Sequence, residues 1–274
     1  MALTYSEVRH KIYERHMGSY PDVFKWGLSY RRLKRNFYSE CASVIVFTLL
    51  KTPISPNTVT VVYIALSVCA GILLALPPVI CVLVAVVLLF LKPTLDWADG
   101  SLAHMKNKKS AGGDILDYYS ASVDWITLWA GLGIYLGNTT SPIFFYLAPV
   151  IPTVFALDIY KSAQERFIYA FARSRSTNTG EGKTERTNDK LEKPGARKIK
   201  DWIDKVLFAH NTCVVDGICL FILIEAFFTI RVLWIYYCMF LVWMCVTFLL
   251  RLYLALFKNR LDYECENLQR KLYG

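Results

Sequence analysis

Apolar positions in this chain come in long runs and not in alternation. Six stretches are apolar almost throughout: residues 57–76, 79–95, 116–136, 142–160, 212–230 and 233–254. Each approaches the roughly 20 residues an α-helix needs to cross a hydrocarbon core of about 30 Å. Continuous runs predict helices, because a membrane barrel would show a period of two. Pro77-Pro78 closes the first run with a tight turn. Ahead of the runs, residues 34–51 place Phe37, Ile45 and Leu49 on one face, behind Arg31, Arg32, Lys34 and Arg35. This predicts an interfacial helix lying on the cytosolic leaflet, with a short buried core helix as the alternative. Pro53 and Pro56 break it from the first run.

The expected fold class is therefore all-α: a polytopic membrane bundle of six transmembrane helices with an N-terminal interfacial helix. Residues 1–51 form a cytosolic N-terminal segment with that helix. Residues 52–256 form the membrane domain, and residues 257–274 form a cytosolic tail. A polar, doubly charged stretch within residues 173–205 reads as a flexible cytosolic loop. No internal repeat stands out.

Composition agrees, since 55% of the 274 residues are hydrophobic, too many for an ordinary soluble domain. The net charge of +9 would suit nucleic acid if it formed one patch. Instead the cations sit between and beside the apolar runs, notably at 104–109 and 173–205, while the turns at 77–78, 137–141 and 231 carry almost none. That asymmetry excludes nucleic acid and predicts a multi-pass protein with both termini and the charged loops in the cytosol. The polar N-terminus predicts no cleavable signal peptide. The eight cysteines lack CxxC pairing and read as packing residues. The sequon Asn138-Thr139-Thr140 lies tight against the membrane and is expected to be unused.

Candidate chemistry is concentrated in Asp96-Trp97-Ala98-Asp99-Gly100-Ser101-Leu102-Ala103-His104, a basic turn, Gly113-Asp114-Ile115-Leu116-Asp117, and then Asp124. An Asp at a membrane helix centre costs about 2.5–3.5 kcal/mol on insertion scales, so several acids at the membrane border call for compensation. Asp96 and Asp99 share a helix face at i,i+3, and Asp117 and Asp124 share one at i,i+7. If the two helices are antiparallel, Asp96, Asp99 and Asp117 converge across the turn at 101–112. Their hard oxygens suit Mg²⁺, Mn²⁺ or Ca²⁺. Gly100 and Ala103 are small enough for a ligand or backbone to approach.

These residues resemble the signature of the CDP-alcohol phosphotransferase family, D-x2-D-G-x2-A-R-x8-G-x3-D-x3-D. Asp96, Asp99, Gly100, Ala103, Gly113 and Asp117 fall at matching spacings. Pro56-Asn57 with Thr60 resembles the family's opening of its first membrane helix. The resemblance implies a metal site of Asp96, Asp99 and Asp117 holding Mg²⁺ or Mn²⁺, and nucleotide contacts from Asn57, Thr60, Gly100, Ala103 and Gly113. It implies transfer of a CDP-linked phosphatidyl or phospho-alcohol group to a hydroxyl, with release of CMP. The implied partners are a CDP-linked donor (CDP-diacylglycerol or a CDP-alcohol), a polar alcohol or lipid acceptor and membrane lipids, with homodimer formation open.

Two positions depart from the pattern. His104 stands where the family has Arg, and Ala121 stands where it has a fourth Asp, the one assigned to taking the acceptor's proton. The catalytic carboxylates then reduce to Asp117 and Asp124. Asp124 takes a catalytic or metal role, partners a buried Lys92, or does neither. The departures also leave open a non-catalytic membrane scaffold, and the carboxylates a cation carrier. Asp114 reads as a solvated helix-start acid, and Asp158, Lys161 and Arg166 as interface charges. Asp216 and Glu225 stay unassigned.

Overall fold

The computed structural model describes residues 3–17, 30–157, 211–228 and 231–257. Among these residues all regular structure is helical: α1 Tyr5–Met17, α2 Tyr30–Leu50, α3 Pro56–Ala75, α4 Val79–Leu91, α5 Pro93–Met105, α6 Ala111–Thr139, α7 Ile143–Leu147, α8 Asn211–Phe228 and α9 Leu233–Phe257. The loop at 173–205, the tail beyond Phe257, and Asp158, Lys161 and Arg166 lie outside the described residues.

Three helical stretches among the described residues are long and apolar enough to cross a membrane: Pro56–Ala75, Val79–Met105 and Leu233–Leu250. α6 has 29 residues, about 43 Å at 1.5 Å per residue, but Asp114, Asp117 and Asp124 interrupt its apolar character. The fourth apolar run is not one clean helix. α7 stops at Leu147, and helix resumes after the turn at Ala148 and Pro149.

Local chemistry sets the ends that matter for the site. Ser55 caps α3, its Oγ accepting from the Thr58 N–H at 3.1 Å, and Pro56 opens the first turn. Lys92 joins α4 to α5 with helical dihedrals, and Pro93 withholds one N–H there. Helix therefore continues through Met105, ten residues past the expected end of the second run. The connection to α6 shrinks to residues 106–110, in place of the broader turn expected at 101–112. Asn107 stops α5 in the left-handed region (φ 52°), where the Lys108 N–H reaches back to the Ala103 carbonyl at 2.9 Å. Lys106 Nζ donates to the carbonyls of Thr52 and Ile54, both at 2.8 Å, and ties this turn to the start of α3. Ser110 caps α6 by accepting from the Gly113 N–H at 3.0 Å.

α3 and α6 cross at backbone contact. A Cβ on Gly71 would meet the Thr127 carbonyl oxygen at 2.6 Å, and one on Gly131 would collide with Gly71 itself. Small residues permit this approach, which suits helices lacking a hydrophobic drive between them. Around the crossing lies the main core, with Leu74, Leu89, Trp129, Leu132, Ile151 and Ile222 fully or almost fully buried. Trp129 stacks on Phe240 of α9 at 4.0 Å. Glu225, unassigned from sequence, caps α9 by accepting from the Leu233 N–H at 2.7 Å. Asn138 uses its amide to donate to the Ala75 carbonyl at 3.0 Å.

A second core is formed by α1, α2, α3 and α5, where Val8, Ile12, Ala42, Val46, Ala98 and Leu102 have no exposed surface. The apolar runs gave no sign of α1. It starts with a capping box, in which the Thr4 N–H donates to Glu7 Oε2 at 2.7 Å and the Glu7 N–H to Thr4 Oγ1 at 3.4 Å. Arg9 and Tyr13 of α1 both hold Glu40 of α2, at 2.5 Å and 2.9 Å. α2 therefore buries one face against protein, while Phe37 and Val44 face outward.

Candidate functional site

Three elements place the acidic motif. α5 carries Asp96 and Asp99, the first turns of α6 carry Asp117, and the opening of α3 packs against both. Asp99 is only 5% exposed, and its Oδ2 accepts from the buried Thr60 hydroxyl at 2.6 Å. This bond joins two residues that the sequence singled out 39 positions apart. Asn57 and Gly113 also meet: a Cβ on Gly113 would lie 3.4 Å from Asn57 Oδ1 and 3.2 Å from Ser110 Oγ. Asp96, Asp99 and Asp117 lie within electrostatic range of one another. Asp117 is exposed at this mouth, Asp96 is half-buried, and Ala103 lies partly exposed a turn beyond Asp99.

Among the described residues, no group of three or more His, Cys, Asp or Glu is gathered tightly enough to hold a metal ion as it stands. The donor chemistry nonetheless fits a hard divalent cation. Three carboxylates repel one another at a partly buried mouth, and a cation drawing them together would remove that repulsion.

Asp124 lies elsewhere. Seven residues along α6 from Asp117, about 10 Å of axial rise, it forms an ion pair with Lys92. Lys92 is 2% exposed and Asp124 7%. The pair with Lys92, one of the readings left open for Asp124, is present.

Four further residues were not singled out as site residues. Tyr63, one turn beyond Thr60, is buried within electrostatic range of Asp96, Asp117 and Asp99. Its i+3 spacing from Thr60 was the available signal. Arg15 and His16 come from α1. Arg15 Nη1 donates to the Gly100 carbonyl. The His16 ring stacks on Trp97 at 4.3 Å, its planes 5° apart, and its Nε2 lies 3.3 Å from Ser101 Oγ. Burial, followed by the neighbouring Arg15 charge, pushes His16 down to about 4. Trp97 sits within the motif, packed between His16 of α1 and Tyr38 of α2, whose ring lies 5.8 Å away.

Fold and site together define a helical protein with membrane-spanning character and an acidic motif at one mouth of its bundle. Residues 53–176 match the family model for CDP-alcohol phosphatidyltransferase. The match takes in α3, α4, α5, α6 and α7 and every residue of the acidic motif. Head-group transfer of the phospholipid type is the general activity of that family. No curated protein matches the chain.

Proposed function

We propose that this protein transfers a CDP-linked phosphatidyl or phospho-alcohol group to a hydroxyl acceptor, releasing CMP. The observation that carries the reading is the Thr60–Asp99 hydrogen bond beside Asp96 and Asp117, which gathers the motif with the opening of α3. Asn57, Gly100, Ala103 and Gly113 would line the nucleotide's approach. Asp96, Asp99 and Asp117 would hold a divalent cation, Mg²⁺ or Mn²⁺, which when bound neutralises the diphosphate and the departing CMP.

The acceptor oxygen forms a bond to the phosphorus bearing the transferred group. The bond from that phosphorus to the bridging oxygen breaks, and CMP leaves with the electron pair. A carboxylate takes the hydroxyl proton. Asp117 is our choice, because it is exposed at the mouth whereas Asp124 is held by Lys92. The same reading keeps six spans, both termini and the site facing the cytosol, with a homodimer as a permitted assembly.

The test is CMP release from CDP-diacylglycerol and CDP-alcohol donors by the full chain in vesicles. Turnover with at least one donor is expected, and Asp99→Ala should abolish it while leaving the protein folded. Absence of CMP release with every donor would contradict the reading and favour a membrane scaffold.

A further inference from the structure

The motif's arginine is missing at position 104, yet an arginine reaches the motif from another element. α1 is seated by the full burial of Val8 and Ile12 against α2 and α5, by the Arg9–Glu40 pair and by the His16–Trp97 stack. Ile12 and Arg15 are i,i+3, so the buried anchor and the guanidinium share one side of α1. Arg15 Nη1 donates to the Gly100 carbonyl. Its Nη2 lies 2.9 Å from where a Gly100 Cβ would be, so the guanidinium covers the open face of that glycine. Its positive charge acts on Asp96 and Asp99, and its side chain is exposed. His104, one turn along from Gly100, is exposed toward solvent.

We infer that Arg15 is a donor-binding residue, delivered by α1 to Gly100, which contacts the diphosphate of the CDP-linked donor in place of the arginine absent at His104. The inference rests on the function proposed above. A guanidinium suits the role because it is planar, always charged and able to offer paired N–H groups to phosphate oxygens. Gly100 suits it because nothing on that residue separates the guanidinium from a ligand lying along α5. A blocking role would place the same guanidinium at the same glycine, and activity separates the two.

The experiment uses the full chain in vesicles and two readouts: equilibrium binding of radiolabelled CDP, and KM and kcat for CMP release. Arg15→Gln keeps a donor for the Gly100 carbonyl and removes the charge. It should weaken CDP binding about 10–100-fold, the scale of losing a charged hydrogen bond, and raise KM more than it lowers kcat. Arg15→Lys should fall between the two. Adding His104→Arg to Arg15→Gln should restore CDP binding, which a variant that had merely misfolded would not allow. Unchanged CDP binding in Arg15→Gln, with normal turnover in the wild type, would overturn the inference and leave the proposed function standing. Tighter binding or faster turnover in Arg15→Gln would also overturn it and identify Arg15 as a block. A wild-type chain that neither binds CDP nor releases CMP would overturn the function, and the inference with it.

Discussion

The four acidic residues Asp96, Asp99, Asp117 and Asp124 on α5 and α6 are treated differently by this fold. Asp124, deep on α6, is matched by one cation, Lys92, in a buried ion pair. Asp96, Asp99 and Asp117, near the mouth, act on one another as like charges, while Lys92 and Arg15 offset Asp96 only in part. Asp124 already has a cation beside it. The outer group gains most from one, because a divalent cation would replace repulsion with coordination. Acidic residues on one helix face are thus not one site. A direct ion pair with Lys92 is what distinguishes Asp124 from Asp96, Asp99 and Asp117.

The largest stability effect should come from splitting the inner pair. Lys92→Met or Asp124→Leu alone leaves a buried charge without its partner, a loss of about 3–5 kcal/mol. Lys92→Met combined with Asp124→Leu should recover most of that, because a buried pair can be exchanged for apolar groups at little cost. Thermal unfolding in detergent measures all three. If the double variant is no more stable than either single one, the inner pair has a duty beyond mutual neutralisation.

A smaller effect is expected at the outer group. Thr60→Val removes the hydroxyl that orients Asp99 and keeps the volume. Loss of such a supporting hydrogen bond should lower turnover or cation affinity about 10–100-fold. Normal CMP release at limiting divalent cation would show that Asp99 does not need Thr60 to hold it.

The smallest effect concerns the docking of α1, which brings the outer group its arginine. His16 is held at about 4, below its ordinary value of about 6.5. Between those values undocked α1 binds more protons than docked α1, so docking weakens as pH falls from about 6.5 toward about 4 and changes little below that. Glu40 stays ionised through most of this window, because the Arg9 hydrogen bond holds it below the usual carboxylate range. Amide exchange in α1, divided by the intrinsic exchange rate at the same pH, should therefore be faster near about pH 5 than at neutral pH. The acceleration should vanish in His16→Phe, which keeps a ring on Trp97 but cannot titrate. A His16→Phe protein with the same pH response would place the titrating group elsewhere.

The motif and its helices were legible because spacing carries them. Asp96 and Asp99 at i,i+3, the small residues Gly100 and Gly113, and the Pro56–Thr60 opening all act through local geometry. The Lys92–Asp124 pair was legible as one of three readings, because matching depth on antiparallel helices brings the residues level. α1 was not legible from the apolar runs. It is short and mostly polar, and it is held by two buried residues, a capping box and contacts to residues 27–85 positions away. Arg15 and His16 look like ordinary surface charges until α5 lies beneath them. The basic turn before α6 was read as topology alone, yet Lys106 bonds two named carbonyls. Average charge along a loop does not reveal such a contact.

The comparison between the two acid groups is tested most directly by the divalent-cation dependence of CMP release in two variants set against the wild type. Asp117→Ala should show no turnover at any Mg²⁺ or Mn²⁺ concentration. The Lys92→Met with Asp124→Leu protein should keep turnover with the wild-type cation dependence. An active Asp117→Ala, or a double variant that is folded but inactive, would contradict the account and move the chemistry from the outer carboxylates to Asp124.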